Sequence, residues 1–144
     1  MGEDILSSTL TVPAEKIRNE IKAMIPLDSE EGKTGKAERL PTQIKGGVMY
    51  GGDNLAKKVS ELMKEMKLGR WVWTVAQFHE AKEILNDSFQ MYLIPLSDHL
   101  TLSVKADKGT TPQPVLHEGH YAYITINPII ICAGASVIFI TPPA

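Results

Sequence analysis

Tyr121-Ala122-Tyr123-Ile124-Thr125-Ile126-Asn127-Pro128-Ile129-Ile130-Ile131-Cys132-Ala133-Gly134-Ala135-Ser136-Val137-Ile138-Phe139-Ile140 is a run of twenty residues without a formal charge. A helix of that length would span a bilayer. Asn127-Pro128 in its interior and its β-branched composition oppose that reading and favour strands. The run is therefore expected to form two buried strands, Tyr121–Ile131 and Ala135–Thr141, broken near Cys132-Ala133-Gly134. Ile129-Ile130-Ile131 does not alternate with polar residues, so both faces of the chain there must be covered.

Working back towards the N-terminus, His99–Ala106 alternates. Leu100, Leu102, Val104 and Ala106 face one way, and Thr101, Ser103 and Lys105 the other, as in a half-buried strand. Asp107-Lys108-Gly109 reads as a turn and Thr110–Pro114 as an extended loop. Met91-Tyr92-Leu93-Ile94 is a short apolar run ended by Pro95.

The first half of the chain reads as helical. Pro13–Met24 carries Ile17, Ile21 and Met24 on one face, with Pro13 suited to the first turn and Pro26 ending the helix. A second helix places Leu55, Val59, Leu62, Met63 and Met66 in a stripe, with Asp53 or Asn54 as cap and Gly69 at its end. Arg70-Trp71-Val72-Trp73 suggests a short strand with both tryptophans on one side. Thr74-Val75-Ala76-Gln77 matches a capping box, which predicts a third helix to about Leu85 with Val75, Phe78, Ala81 and Leu85 inward. Between the first two helices, about residues 27–52 lack apolar periodicity and are rich in glycine. Within them, Gly47-Val48-Met49-Tyr50 suits a strand or a docking segment.

The fold class expected is thus α+β. About three helices in the N-terminal half pack on a mostly antiparallel sheet from the C-terminal half. Residues 1–144 form a single domain with a mobile or partner-binding Gly-rich arm at about 27–52.

Composition narrows the function classes. Fifteen basic and seventeen acidic residues give a net charge of −2, without the basic excess of a nucleic-acid binder. The single cysteine, Cys132, lies in an apolar run and reads as a small buried hydrophobe, which gives no sign of an oxidising compartment. Met1-Gly2-Glu3-Asp4 lacks a signal-peptide pattern, and Leu6 breaks the myristoylation pattern. A cytoplasmic protein, or one within an assembled particle, is expected, without membrane or nucleic-acid partners.

Motifs that suggest chemistry fail on geometry. Gly32-Lys33-Thr34 lacks the upstream glycine of a phosphate loop, where Leu27 stands. His117-Glu118-Gly119-His120 has one residue too few for the helical zinc-protease pattern, and Gly119 opposes a helix. In an extended segment His117 and His120 point to opposite faces, so only a turn would let them share a metal, with His79 or His99 as a third ligand. Ser97-Asp98-His99 holds the residue types of a hydrolase triad, but adjacent residues cannot converge as a triad does; a tight turn fits better.

Leu96-Ser97-Asp98-His99-Leu100, preceded by Leu85-Asn86-Asp87-Ser88, resembles the regulatory domain of phosphotransferase-controlled antiterminators. The resemblance implies an all-helical fold and a phosphate-accepting His99. It covers about sixteen residues, and the alternation after His99 reads as strand.

The sequence therefore assigns no catalytic, cofactor-binding or metal-ligating residue and no cofactor. The function it favours is a non-enzymatic structural or assembly subunit of virion, cage or scaffold type, forming homo-oligomers through the C-terminal strands or the 27–52 arm. The alternatives are a regulatory ligand- or partner-binding module centred on His99 or on the Trp71/Trp73 pair, and a small metal-dependent enzyme using His117 and His120.

Metal is not expected to hold the fold together. His117→Ala combined with His120→Ala should leave the melting temperature nearly unchanged, since surface turn residues contribute less than about 0.5 kcal/mol. Stoichiometric zinc in the purified protein, lost in the double variant, would overturn this.

Overall fold

A computed structural model describes residues 5–25, 38–39, 47–97, 99–100, 102–106, 109–112, 116–117, 119–125 and 129–143. Two helices are found among them. Helix α1 spans Val12–Met24 and is capped by Thr11, whose Oγ1 accepts from the Ala14 amide at 3.3 Å. Its last residue gives way to Ile25 in an extended conformation (φ −89°, ψ 122°), the conformation required of a residue that precedes proline. Its buried face is Ala14, Arg18, Ile21 and Met24, rotated from the Ile17, Ile21, Met24 stripe so that a charged residue is included.

Helix α2 spans Asp53–Glu65 and buries Leu55, Val59, Leu62 and Met63. Its N-cap is Gly52 at φ 96°, a backbone conformation in which glycine is favoured, rather than Asp53 or Asn54. Asp53 instead lies in the first turn, where its charge complements the helix dipole. The helix also ends earlier than Gly69. Lys67 adopts φ 65°, its amide donates to the Lys64 carbonyl at 3.0 Å, and the Leu68 amide donates to the Met63 carbonyl at 2.7 Å. These are the two bonds of a Schellman cap, with lysine in the left-handed position that glycine normally takes.

Thirteen strands are described: β1 (Ile5–Thr9), β2 (Glu38–Arg39), β3 (Gly47–Gly51), β4 (Val72–Phe78), β5 (Lys82–Ile84), β6 (Met91–Pro95), β7 (His99–Leu100), β8 (Leu102–Ala106), β9 (Gly109–Pro112), β10 (Leu116–His117), β11 (His120–Ile124), β12 (Ile129–Ile131) and β13 (Ser136–Thr141). Seven form one sheet in the order β1-β11-β6-β13-β4-β3-β2, four form a second in the order β5-β12-β8-β9, and β7 pairs with β10. All the pairings are antiparallel.

The seven-stranded sheet separates two cores. On one face Val48, Tyr50, Val75, Ile94, Ile138 and Ile140 meet the apolar stripes of α1 and α2. On the other, Ala76, Phe78, Met91, Leu93, Ala122, Ile124, Val137 and Phe139 meet Ile129, Ile131 and Ile84 of the smaller sheet. The order of layers is helices, large sheet, small sheet.

The α+β class holds, with two helices rather than about three. The third expected helix is strand β4. Its central position between β3 and β13 buries Val75 against the helices and Ala76 and Phe78 against the second sheet. A strand covered on both faces loses its alternation, and its apolar spacing then imitates a helix. Ala81 and Leu85, expected inward, are exposed.

Further strands depart from the sequence reading. Gly47–Gly51 is a strand paired with β2 and β4, the first of the two alternatives expected for Gly47–Tyr50. The remainder of the expected arm, residues 27–37 and 40–46, lies outside the described residues, as does the Gly32-Lys33-Thr34 segment. Gly109–Pro112 pairs with β8, whereas a loop was expected. Tyr121–Ile131 is not one strand: β11 lies in the large sheet and β12 in the small one. The break at Cys132-Ala133-Gly134 is as expected, a turn with Gly134 at φ 84°. The antiterminator resemblance implied helices over 85–100; that region holds β6 and β7. No helix among the described residues is long and apolar enough to cross a membrane, and the described residues of the apolar 121–140 run form β11, β12, β13 and the turn before β13.

The buried charge on α1 is neutralised locally. Arg18, 1% exposed, donates from Nε to Glu15 Oε1 at 2.5 Å, from Nη2 to Glu15 Oε2 at 3.0 Å and to Asn19 Oδ1 at 2.8 Å. Its Nη1 donates to the Pro95 carbonyl at 3.2 Å. One side chain thus joins α1 to the end of β6. The forked contact is the geometry that makes arginine suitable for a buried ion pair. Glu15 and Arg18 also sit one turn apart, so helix geometry itself brings them together.

Two predictions follow from these contacts. Lys67→Gly should stabilise the protein by about 1 kcal/mol, the strain of an L-residue in the left-handed region; a lower denaturation midpoint would contradict it. The second concerns acid. The Arg18 hydrogen bond holds the Glu15 carboxyl below its ordinary value of 4.5; partial burial opposes this, and the charge of Arg18, the Asn19 amide and nearby His120 reinforce it. A depressed carboxylate stabilises the fold above its unfolded pKa, and that stability is lost as pH falls through the folded value. Glu15→Gln should therefore destabilise at neutral pH, by less than the roughly 3–5 kcal/mol of a fully buried pair, because Glu15 is one-third exposed. The difference from wild type should shrink below about pH 4. An equal difference at pH 3 and pH 7 in urea titrations would refute the assignment.

Candidate functional site

The large sheet ends in two unlike edges. β2 is two residues long and consists of Glu38-Arg39. β1 is five residues long, Ile5-Leu6-Ser7-Ser8-Thr9, with neither charge nor proline. It pairs with β11 through Leu6↔Tyr123 and Ser8↔Tyr121, and among the described residues it has no neighbour on its other side. Leu6 is 48% exposed.

Beside that edge lies an aromatic corner. Sheet register sets Leu6, Tyr123, Tyr92, Ile140 and Trp73 in one row across five strands, on the face that carries the helices. Tyr92 is its hub, with ring centroids 4.9 Å from Tyr123, 5.8 Å from Tyr121 and 5.5 Å from Trp71. Burial, then the neighbouring tyrosines Tyr123 and Tyr121, push the Tyr92 phenol above its ordinary value. It therefore stays neutral at physiological pH. A cavity of about 240 Å³ opens here between Thr9–Thr11, the end of α2 at Glu65–Lys67, and Tyr92 and Tyr121. The corner offers aromatic contact surface and hydroxyl groups, a combination suited to recognition.

A second cavity, of about 250 Å³, lies between the sheets. Met49, Ala76, Phe78, Ile84, Leu85, Met91 and Phe139 line it, with Thr74 and Thr141 as its polar members. Phe78 and Phe139 meet edge to face at 6.0 Å and 67°.

Of the residues singled out in the sequence, Trp71 and Trp73 belong to the aromatic corner, whereas His117, His120, Ser97 and Cys132 line neither cavity. His117 is exposed in β10 and His120 is half-buried at the start of β11; Gly119, at φ 85°, turns the chain between them. The two histidines thus belong to different sheets. The surface position expected of both holds for His117 alone. His120 lies within electrostatic reach of Glu15. The β7–β10 register sets His99 opposite His117, and His79 is exposed after β4. Among the described residues no three His, Cys, Asp or Glu form a group able to hold a metal. Asp98 lies outside the described residues; Ser97 Oγ accepts from the Ser136 amide at 3.3 Å, a contact that ties β13 to the end of β6. Cys132 is a half-buried free thiol packed beside the inter-sheet core. Trp71 and Trp73 do share a side, both packed against the helix-facing core.

Sequence reading missed β1 and the tyrosine corner. The first had a legible signal, a charge-free β-prone run ending at the Thr11 cap. The second had none, because Trp71, Tyr92 and Tyr121 come from three separate segments.

No protein-family model matches the sequence, and no curated protein matches it. Among solved structures, the chain is similar to hydroxypropylphosphonic acid epoxidase from S. wedmorenis in complex with fosfomycin, with a TM-score of 0.49, 13% identity, and coverage of 72% of this chain and 55% of that one. A second structure of the same enzyme gives a TM-score of 0.48 at 13% identity, covering 74% and 55%. Its cobalt(II) form with substrate gives 0.43 at 12%, covering 72% and 56%. The chain spans little more than half the length of these structures.

Proposed function

We propose that this chain is a non-enzymatic structural or assembly subunit, of scaffold, cage or virion type, that forms homo-oligomers through the edge of β1. The observation that carries this reading is the edge itself. An edge strand presents a row of unpaired N–H and C=O groups, and natural proteins guard it with charge, proline, bulges or short length. β2 is short and charged; β1 has neither guard. A second copy meeting β1 about a two-fold axis pairs antiparallel and continues the sheet. Such pairing also covers Leu6 and extends the aromatic row beside it.

This interface differs from the one expected on the apolar C-terminal strands. That expectation rested on the need to cover both faces. β13 is covered by α1 and α2 on one face and the small sheet on the other, within one chain. Ile129 and Ile131 likewise face the large sheet, leaving Ile130 half-buried outside.

Light scattering tests the proposal. The wild type should give a mass that is a multiple of the 15.8 kDa chain. Leu6→Lys, at an exposed position, should reduce it to one chain while leaving the melting transition in place. A single-chain mass for the wild type at high concentration would refute oligomerisation, and an undiminished mass for Leu6→Lys would refute its location.

A further inference from the structure

The cavity between the two sheets is lined from β3, β4, β6 and β13 of the large sheet and from β5 and Leu85 beside it, and no residue of β1 takes part. We propose that it binds a small uncharged organic molecule with a single ring or short aliphatic body and one hydrogen-bonding end.

Four observations converge on that class of ligand. The first is size. An apolar cavity of about 150 Å³ accepts benzene, and about 250 Å³ accommodates a ring with a short substituent. The second is the absence of charge in the lining: every residue is apolar except Thr74 and Thr141. An ion entering would lose its hydration without a counter-charge, which excludes carboxylates and ammonium groups from tight binding. The third is a polarity gradient. Ala76, Phe78 and Met91 are buried, whereas Thr141 is half-buried. Thr74 is paired with Phe139, and Thr141 lies two residues further along the same face of β13. The apolar body therefore sits against Ala76 and Phe78, and the polar end meets the threonine hydroxyls beside Met91. The fourth is the lip. Leu85 lines the cavity yet is 63% exposed, a large apolar side chain that a bound ligand would cover. Met49 and Met91 add flexible, polarisable walls that adapt to the shape of a ligand.

Six methionines make the proposal measurable in the intact chain. Two, Met49 and Met91, line the cavity, while Met24 and Met63 are buried in the other core and act as internal controls. Protein labelled with carbon-13 at the methionine methyls would be titrated with benzyl alcohol, benzoate and benzylammonium, which share one ring and differ in charge. Benzyl alcohol should move the Met49 and Met91 resonances saturably and leave Met24 and Met63 in place. The two ions should bind at least about tenfold more weakly, a factor equal to the loss of one decade of affinity. Ala76→Phe, which fills the cavity, should abolish the shifts. Leu85→Trp, at an exposed position that tolerates substitution, should weaken binding by about tenfold through occlusion of the mouth, and it decides the matter if Ala76→Phe does not fold. No saturable movement of Met49 and Met91, an equal response to all three probes, or unchanged affinity in Leu85→Trp would each overturn the proposal.

Discussion

Strand β13 must be dry on both faces, and the rest of the architecture is arranged to make it so. Val137 and Phe139 point into one core and Ile138 and Ile140 into the other, and all four are buried. Each such side chain contributes on the order of 1.5–3 kcal/mol when removed from water. One layer of cover would forfeit half of that. The chain supplies two: helices α1 and α2 on one side and the small sheet on the other. The neighbours of β13 inherit the same condition, which is why β4 and β6 are also apolar on both faces.

The helical layer is held in register by more than apolar contact. Arg18 reaches from α1 to the carbonyl of Pro95 with Nη1, while Glu15 and Asn19 accept from its Nε and Nη2. A buried guanidinium gives weak net stability but demands one geometry, because any other leaves a charge unpaired in a low-dielectric interior. On the outer surface Lys58 of α2 meets Glu20 of α1 at 3.1 Å, a solvent-exposed pair that aligns the two helices without deciding their packing.

The two cavities follow from the ends of these layers. Helices thirteen residues long do not cover the whole width of a seven-stranded sheet. The uncovered corner exposes the edges of Tyr92, Tyr121 and Tyr123, and the free strand β1 borders it. On the opposite face the small sheet covers most of the large one, and the space near Leu85 and Thr141 stays open. Surfaces for contact thus arise where one layer outruns the next, at places far apart in the sequence.

The sequence alone determined what local physics decides. Pro13 and Pro26 bound α1; the apolar stripe defines α2; Gly134 breaks the apolar run; and strand propensity together with Asn127-Pro128 turns that run away from a membrane helix. The lack of alternation in Ile129–Ile131 also predicted cover on both faces, whereas the face of Ile130 is only half-buried. What provides the cover is a tertiary matter. Thr74–Phe78 satisfies a capping box and helical spacing, and only its place between β3 and β13, with a separate core on each face, makes it a strand. Arg18 falls one position beside the apolar stripe, and its burial depends on a carbonyl 77 residues away. The division of Tyr121–Ile131 between two sheets, the register that aligns Leu6, Tyr123, Tyr92, Ile140 and Trp73, and the meeting of Phe78 with Phe139 are set by non-local pairing. Single-sequence periodicity carries no record of such pairing, because it reports which face of an element is apolar and not what lies opposite.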